Sequence, residues 1–160
     1  MNLRIGFGYD VHPLKEDIPF VLGGILIPYH KGALAHSDGD VLIHALCDAM
    51  LGAANLRDLG VHFPDTSGEY KGIDSKELLK KTRDLIKERN YSIVNMDATI
   101  CLQKPKIQEY IPRMQITLAE LLHVDIDRVS IKATTTEKLG FVGREEGIEA
   151  YAVVLLIRNE

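Results

Sequence analysis

Residues 41–55, VLIHALCDAMLGAAN, constrain the chain more than any other stretch. They are rich in Ala, Leu and Met, good helix formers, and apolar on nearly every face. Such a helix cannot stand in water, so the rest of the chain must cover it. Ser37-Asp38-Gly39-Asp40, just before it, supplies N-cap residues.

The other elements provide that cover. Residues 4–9 (RIGFGY) alternate with period two and read as a strand. Residues 19–28 (PFVLGGILIP) read as two short strands turning at Gly23-Gly24. A polar loop with Gly60, Pro64, Asp65, Ser67 and Gly68 precedes a second helix, which opens at Asp74-Ser75. In that helix Leu78, Leu79, Thr82, Leu85 and Ile86 form an apolar stripe, and the other faces are charged. Residues 91–102 read as a strand. Residues 106–123 read as a helix that Pro112 either kinks or starts late. Residues 129–136 and 149–158 read as strands. The last is almost continuously apolar, which suits burial on both faces. The order predicts an α+β sandwich, a mixed sheet with helices on one face. No linker-like stretch divides residues 1–160, so a single domain is expected.

Composition narrows the function. Apolar residues make up 46% and charged residues 26%, which is globular rather than disordered. The 19 Lys and Arg against 23 Asp and Glu leave a net charge of −4, so no basic field points to nucleic acid. The longest apolar run, AVVLLI at residues 152–157, is far short of the roughly 20 residues a bilayer requires. The first residues resemble neither a secretory signal nor a transit peptide, so a cytoplasmic protein is expected. A plastid protein with its leader removed would look the same. Cys47 and Cys101 sit in apolar stretches and read as reduced core residues.

Four constellations carry possible chemistry. Asp10 and His12 are two apart in a strand and so share a face. His44 lies in the apolar helix, with Asp40 and Asp48 one turn before and after it. Asp10, His12 and His44 would make an O,N,N set, which suits tetrahedral Zn²⁺ with one position left for water or substrate. Asp48 or Asp40 could then orient an imidazole. Spacing alone leaves the choice open between this and a His satisfied by a core hydrogen bond. His36 and Ser37 precede the helix and could offer a phosphate its N-terminal N–H groups. Ser37 or Asp38 could equally be a plain N-cap.

Thr134, Thr135 and Thr136 are either ordinary strand residues or hydroxyls for phosphate oxygens, with Lys132 and Lys138 beside them. In the second case Glu137 could hold a divalent ion bridging phosphates. Gln103-Lys104-Pro105-Lys106 is either a solvated turn or a nucleotide contact. Gly143-Arg144 adds a cation, and Phe63-Pro64-Asp65-Thr66 is a rigid polar loop.

Seven strings in order resemble the 2-C-methyl-D-erythritol 2,4-cyclodiphosphate synthase family. They are G-x-DVH (residues 8–12), LGG-x-x-IP (22–28), AHSDGDV (35–41), HAL-x-DA-x-LGAA (44–54), D-x-G-x-x-FPDT (58–66), PK (105–106) and KATTTEKLGF-x-GR-x-EGI (132–148). The resemblance implies a ferredoxin-like α+β sandwich, with a mixed four-stranded sheet and a small N-terminal hairpin. It implies a homotrimer with active sites at subunit interfaces. The activity implied is cyclisation of 4-diphosphocytidyl-2-C-methyl-D-erythritol 2-phosphate, releasing CMP, in the non-mevalonate isoprenoid pathway.

By the same resemblance, Asp10, His12 and His44 match zinc ligands and Glu137 matches a ligand of Mg²⁺ or Mn²⁺. His36 and Thr135 match the residues flanking the reacting phosphorus, and Ser37 a phosphate contact. Asp58, Gly60, Phe63, Pro64, Asp65, Thr66 and Ser67 match the methylerythritol loops. Leu102, Gln103, Lys104, Pro105, Lys106, Ile107 and Gln108 match the cytidine-diphosphate pocket, as do Thr134, Thr135 and Thr136. Phe141 and Arg144 match further substrate contacts. Arg144 and Glu146 match the mouth of a trimer-axis cavity that takes isoprenoid diphosphates. This chain departs from the common pattern at Lys104 and at Glu145. The alternative functions are a catalytically silent isoprenoid-diphosphate-binding metalloprotein and a zinc phosphohydrolase.

Overall fold

The computed structural model describes residues 2–64, 66 and 68–160. The chain opens with strand β1 (Leu3–Glu16), then a hairpin of β2 (Phe20–Leu22) and β3 (Ile25–Ile27), then a short strand β4 (Lys31–Ala33). Helix α1 (Val41–Ala53) follows, then one turn, α2 (Leu59–His62), and helix α3 (Ser75–Glu88). Strand β5 (Tyr91–Cys101), helix α4 (Ile111–Leu122), strand β6 (Val129–Thr134), a turn of helix α5 (Gly140–Gly143) and strand β7 (Gly147–Arg158) complete it. The sheet order is β4-β1-β7-β5-β6, with only β5 and β6 parallel. The expected four-stranded mixed sheet is therefore β1-β7-β5-β6. β4 extends its edge through three residue pairs with β1.

Pro112 lies at the start of α4, so it marks a late beginning rather than a kink. α1 is buried along nearly its whole surface, with Asp48 half-buried and Gly52 exposed. Its seat on the sheet is set by two glycines. A Cβ at Gly6 would lie 1.8 Å from the Ala49 carbonyl oxygen, and one at Gly8 would lie 1.9 Å from that of Ala45. The strand meets the helix backbone to backbone, with alanines filling the facing turns. This contact brings the first turn of α1 beside the middle of β1.

β7 differs from the expectation of burial on both faces. Within the chain its residues alternate, with Ala150, Ala152, Val154 and Leu156 inside. Tyr151 and Val153 lie on the open face, beside Ile5, Phe7, Tyr9 and Val11 of β1. The helices cover only the other face, so this apolar strip has no cover within one chain. On β5 and β6 the open face turns polar, with Asp97 paired to Lys132.

Candidate metal centre and cavity

Asp10 and His12 are two apart on the same face of β1 as Gly6 and Gly8, so the face that receives α1 also carries both. His44 enters from α1. Asp10 Oδ2 lies 2.8 Å from His12 Nε2 and 3.0 Å from His44 Nδ1, and the two histidine nitrogens are 3.1 Å apart. One ligand atom from each of the three lies within 4.8 Å of the others. Burial pushes the Asp10 carboxyl up, but hydrogen bonds from the two imidazoles outweigh it and hold it down at about 2. Burial pulls His44 down, and the Asp10 carboxylate beside it outweighs that and raises it.

The donor set is hard and borderline, O,N,N, drawn from two rigid elements and open on one side. That chemistry fits a tetrahedral divalent metal with a free vertex. The open side is a cavity of about 340 Å³. Asp10, His12, His36, Ser37, His44, Gly60 and Phe63 line it, together with Leu59, Tyr70, Ile73 and Leu78. Phe63 meets Tyr70 edge to face at 5.6 Å between ring centres. The sequence singled out neither Tyr70 nor Ile73. No local pattern marks them, because they reach the cavity only through the fold of the loop before α3.

The orienting partners of His44 are not the ones expected. Asp40 is fully buried and caps α1, accepting from Ile43 N at 3.0 Å. It also accepts from Gly23 N at 3.0 Å and Gly24 N at 2.7 Å, so its oxygens are spent on backbone. Asp48 accepts from Leu59 N at 2.7 Å. His44 Nε2 instead meets Ser75 Oγ at 2.9 Å and Ser37 Oγ at 3.1 Å. The N-cap is thus Asp40, not Ser37 or Asp38. Ser37 and His36 reach the cavity from the loop before the helix, not from its N-terminus.

Asp58 caps α2 through Val61 N at 3.1 Å and does not line the cavity. Pro64 is half-buried and Thr66 exposed, while Asp65 and Ser67 lie outside the described residues.

The remaining site residues gather elsewhere. Cys101 of β5 pairs with Thr134 of β6 at the C-terminal end of both strands. The loop at 102–108 therefore faces the loop at 134–138. Leu102 N donates to Thr134 O at 2.9 Å, and Lys138 N donates to Gln103 Oε1 at 3.3 Å. Thr135 Oγ1 donates to Glu137 Oε1 at 3.1 Å, and Thr136 Oγ1 to Leu139 O at 2.7 Å. Pro105 follows a cis peptide bond, Ile107 is buried, and Lys106 and Gln108 are exposed. Phe141 packs over Gly147. Arg144 donates to both oxygens of Glu146 at 3.0 Å. The two unusual residues face one another, with Lys104 Nζ 3.1 Å from Glu145 Oε1.

The loops at 102–108 and 134–138 belong to β5 and β6, while the candidate metal centre belongs to β1 and α1. Phe141, Arg144 and Glu146 precede β7, which pairs directly with β1. β1 and β6 are three steps apart in the sheet, about 14 Å at roughly 4.8 Å per step. Among the described residues none of the second set lines the cavity.

The YgbB family model matches residues 3–157. A 2-C-methyl-D-erythritol 2,4-cyclodiphosphate synthase of Bacteroides fragilis is 62% identical over 158 residues, covering 99% of each chain. Among solved structures, the bifunctional IspDF from Campylobacter jejuni superposes with a TM-score of 0.96 at 43% identity. That match covers 99% of this chain and 43% of the larger one. IspF of Plasmodium falciparum, solved as a CDP complex, superposes with a TM-score of 0.87 at 36% identity, covering 99% and 98%.

Proposed function

The chain belongs to the YgbB family, and from that membership, its fold and its cavity we infer that it acts as a 2-C-methyl-D-erythritol 2,4-cyclodiphosphate synthase. The substrate is 4-diphosphocytidyl-2-C-methyl-D-erythritol 2-phosphate. An oxygen of its 2-phosphate forms a bond to the β-phosphorus. The bond from that phosphorus to the α-phosphate oxygen breaks, CMP leaves, and an eight-membered cyclic diphosphate closes. The reaction is of the phosphorus-oxygen lyase type and needs no outside nucleophile.

The observation that carries the reading is the convergence of Asp10, His12 and His44 on a cavity also lined by His36 and Ser37. Asp10, His12 and His44 would hold Zn²⁺, whose charge when bound polarises and orients the terminal phosphate. Ser37 directs its hydroxyl at the phosphate, and His36, exposed at the rim, steadies charge developing at phosphorus. Leu59, Gly60, Phe63 and Tyr70 enclose the methylerythritol end and thin the water around it.

The loops 102–108 and 134–137 bind the cytidine diphosphate, largely through backbone groups. Thr135 and Glu137 flank the diphosphate, and Glu137 would hold Mg²⁺ or Mn²⁺ there. This half of the site lies too far from the metal centre to meet it within one chain. A homotrimer that places β6 of one subunit against β1 of the next would unite them. The apolar strip of Ile5, Phe7, Tyr9, Val11, Tyr151 and Val153 supports such packing. At the trimer axis an isoprenoid diphosphate would have to share Arg144 with Glu146. Residues 1–160 act as one catalytic domain in the bacterial cytoplasm. No helix among the described residues is long and apolar enough to cross a membrane.

Incubation with the cytidylyl substrate followed by mass analysis tests the reading. CMP and the cyclic diphosphate are expected. Inorganic phosphate would replace the proposal with a phosphohydrolase, and an untouched substrate with a silent metalloprotein.

A further inference from the structure

We propose that Ser75 and Asp38 are positioning residues that fix the tautomer of His44 for metal binding and leave the Ser37 hydroxyl free for the substrate. The proposal rests on the metal centre inferred above and adds two residues to it.

Each group in this network has a fixed count of protons to give. Ser75 is fully buried at the start of α3. Its N–H donates to Asp38 Oδ2 at 3.0 Å, and its hydroxyl donates to Asp38 Oδ1. A carboxylate only accepts, and a hydroxyl has one proton, so Ser75 turns only a lone pair toward His44. The His44 Nε2 atom, 2.9 Å away, must therefore carry the hydrogen. A metal-bound imidazole is neutral and has one N–H, so with Nε2 protonated Nδ1 is left bare for the metal. Without metal, an Nδ1 hydrogen serves Asp10 Oδ2 at 3.0 Å instead. Nδ1 is the nitrogen that faces Asp10 and His12. The opposite tautomer would set two lone pairs against each other at Ser75 and put a hydrogen where the metal belongs.

Ser37 follows from the same count. Its Oγ lies 3.1 Å from His44 Nε2 and accepts from Gly39 N at 3.3 Å. Since Nε2 already bears a hydrogen, Ser37 cannot donate to it. Its proton is left for the cavity that Ser37 lines. Asp38 is itself held in place. Its N–H donates to Ile73 O at 3.1 Å, and its Oδ1 accepts from Asp40 N at 3.2 Å. Beside it, Gly72 N donates to His36 O at 2.8 Å. The loop bearing His36 and Ser37 is thereby laced to the segment that leads into α3.

The test begins with the wild-type protein loaded with zinc. Long-range ¹H–¹⁵N NMR correlations should show His44 protonated at Nε2. Zinc affinity is then measured by chelator competition in two variants whose metal-free folds are checked by circular dichroism. Asp38→Asn keeps the shape but reverses the polarity. Its carbonyl takes the Ser75 N–H; its NH₂, in place of Oδ1, gives up the Asp40 N–H, donates to Ser75 Oγ and frees that hydroxyl to donate to His44. It should weaken zinc binding about 10- to 100-fold, the usual effect of losing an outer partner of a metal-bound His, and shift His44 toward the Nδ1–H form. Ser75→Ala removes the acceptor without the reversal and should cost about 10-fold with no tautomer shift of that kind. Wild-type His44 protonated at Nδ1, or both variants binding zinc as the wild type does, would overturn the proposal. A wild-type chain that takes up no zinc would instead remove the metal centre itself.

Discussion

Adding one methyl group at position 8 tests whether the contact between β1 and α1 builds the metal centre. In Gly8→Ala the new Cβ would lie 1.9 Å from the Ala45 carbonyl oxygen and 2.7 Å from Ala49 N. Both are main-chain atoms of a buried helix, so no side chain can swing away. To restore even a 3.0 Å contact the helix must retreat by about 1.1 Å. β1 cannot yield instead, because it is hydrogen-bonded to β7 from Leu3 to Pro13. His44 lies one residue before Ala45, so the retreat carries its imidazole away from Asp10 and His12. Overpacking of this sort costs about 1–3 kcal/mol, which for a chain of this size lowers the melting temperature by roughly 2–12 °C. An ångström of misplacement at a reacting site costs about 10²-fold in rate.

The control is Gly52→Ala, the same change made on α1 itself, away from the β1 contact. A Cβ there meets nothing within 4 Å. Removing a helical glycine should stabilise by about 0.5–1 kcal/mol. Thermal unfolding of the metal-free protein, zinc competition and turnover are measured for both. A Gly8→Ala protein that melts and binds zinc like the wild type would refute the packing argument.

Four further outcomes are expected. His44→Ala should abolish turnover and remove most zinc, read by elemental analysis; retained zinc would take His44 out of the ligand set. Glu137→Gln should weaken activation by Mg²⁺ or Mn²⁺ while zinc content stays unchanged, and an unaltered activation curve would release Glu137 from that role. Phe7→Glu places a charge in the open apolar strip, where Phe7 is 64% exposed, and should yield monomers in sedimentation that keep zinc but lose turnover. A trimer that survives it would move the interface elsewhere. The Cys47 thiol, fully buried and pushed up by that burial to about 12, should react with a disulfide reagent only as fast as the chain unfolds. Prompt labelling of Cys47 in the native protein would contradict that burial.

Much of this was legible in the sequence because it is local. The helix at 41–53, the turn at Gly23-Gly24 and the Asp74-Ser75 helix start all follow from periodicity and capping. The shared face of Asp10 and His12 follows from strand geometry alone. What stayed hidden depends on chain segments meeting across the fold. Ser75 lies 31 residues from His44, and nothing in the sequence around it says that its hydroxyl reaches an imidazole. Asp40 and Asp48 lie at the right helical spacing from His44. Spacing cannot show that backbone N–H groups of Gly23, Gly24 and Leu59 already occupy them. The motif strings single out both halves of the proposed site. They could not show that one chain keeps those halves apart.

The buried carboxylate of Asp40 ties two elements that sequence order keeps separate. The β2–β3 hairpin is a detached ribbon too small to persist alone. Its turn is pinned to the start of α1 by a side chain that also accepts the Ile43 amide in that helix's first turn. The ribbon cannot lift without loosening the turn of helix that bears His44. The amides of Gly23, Gly24 and Ile43 should therefore exchange with solvent in one shared opening event. A disturbance at the ribbon would then be felt at His44 across the protein interior.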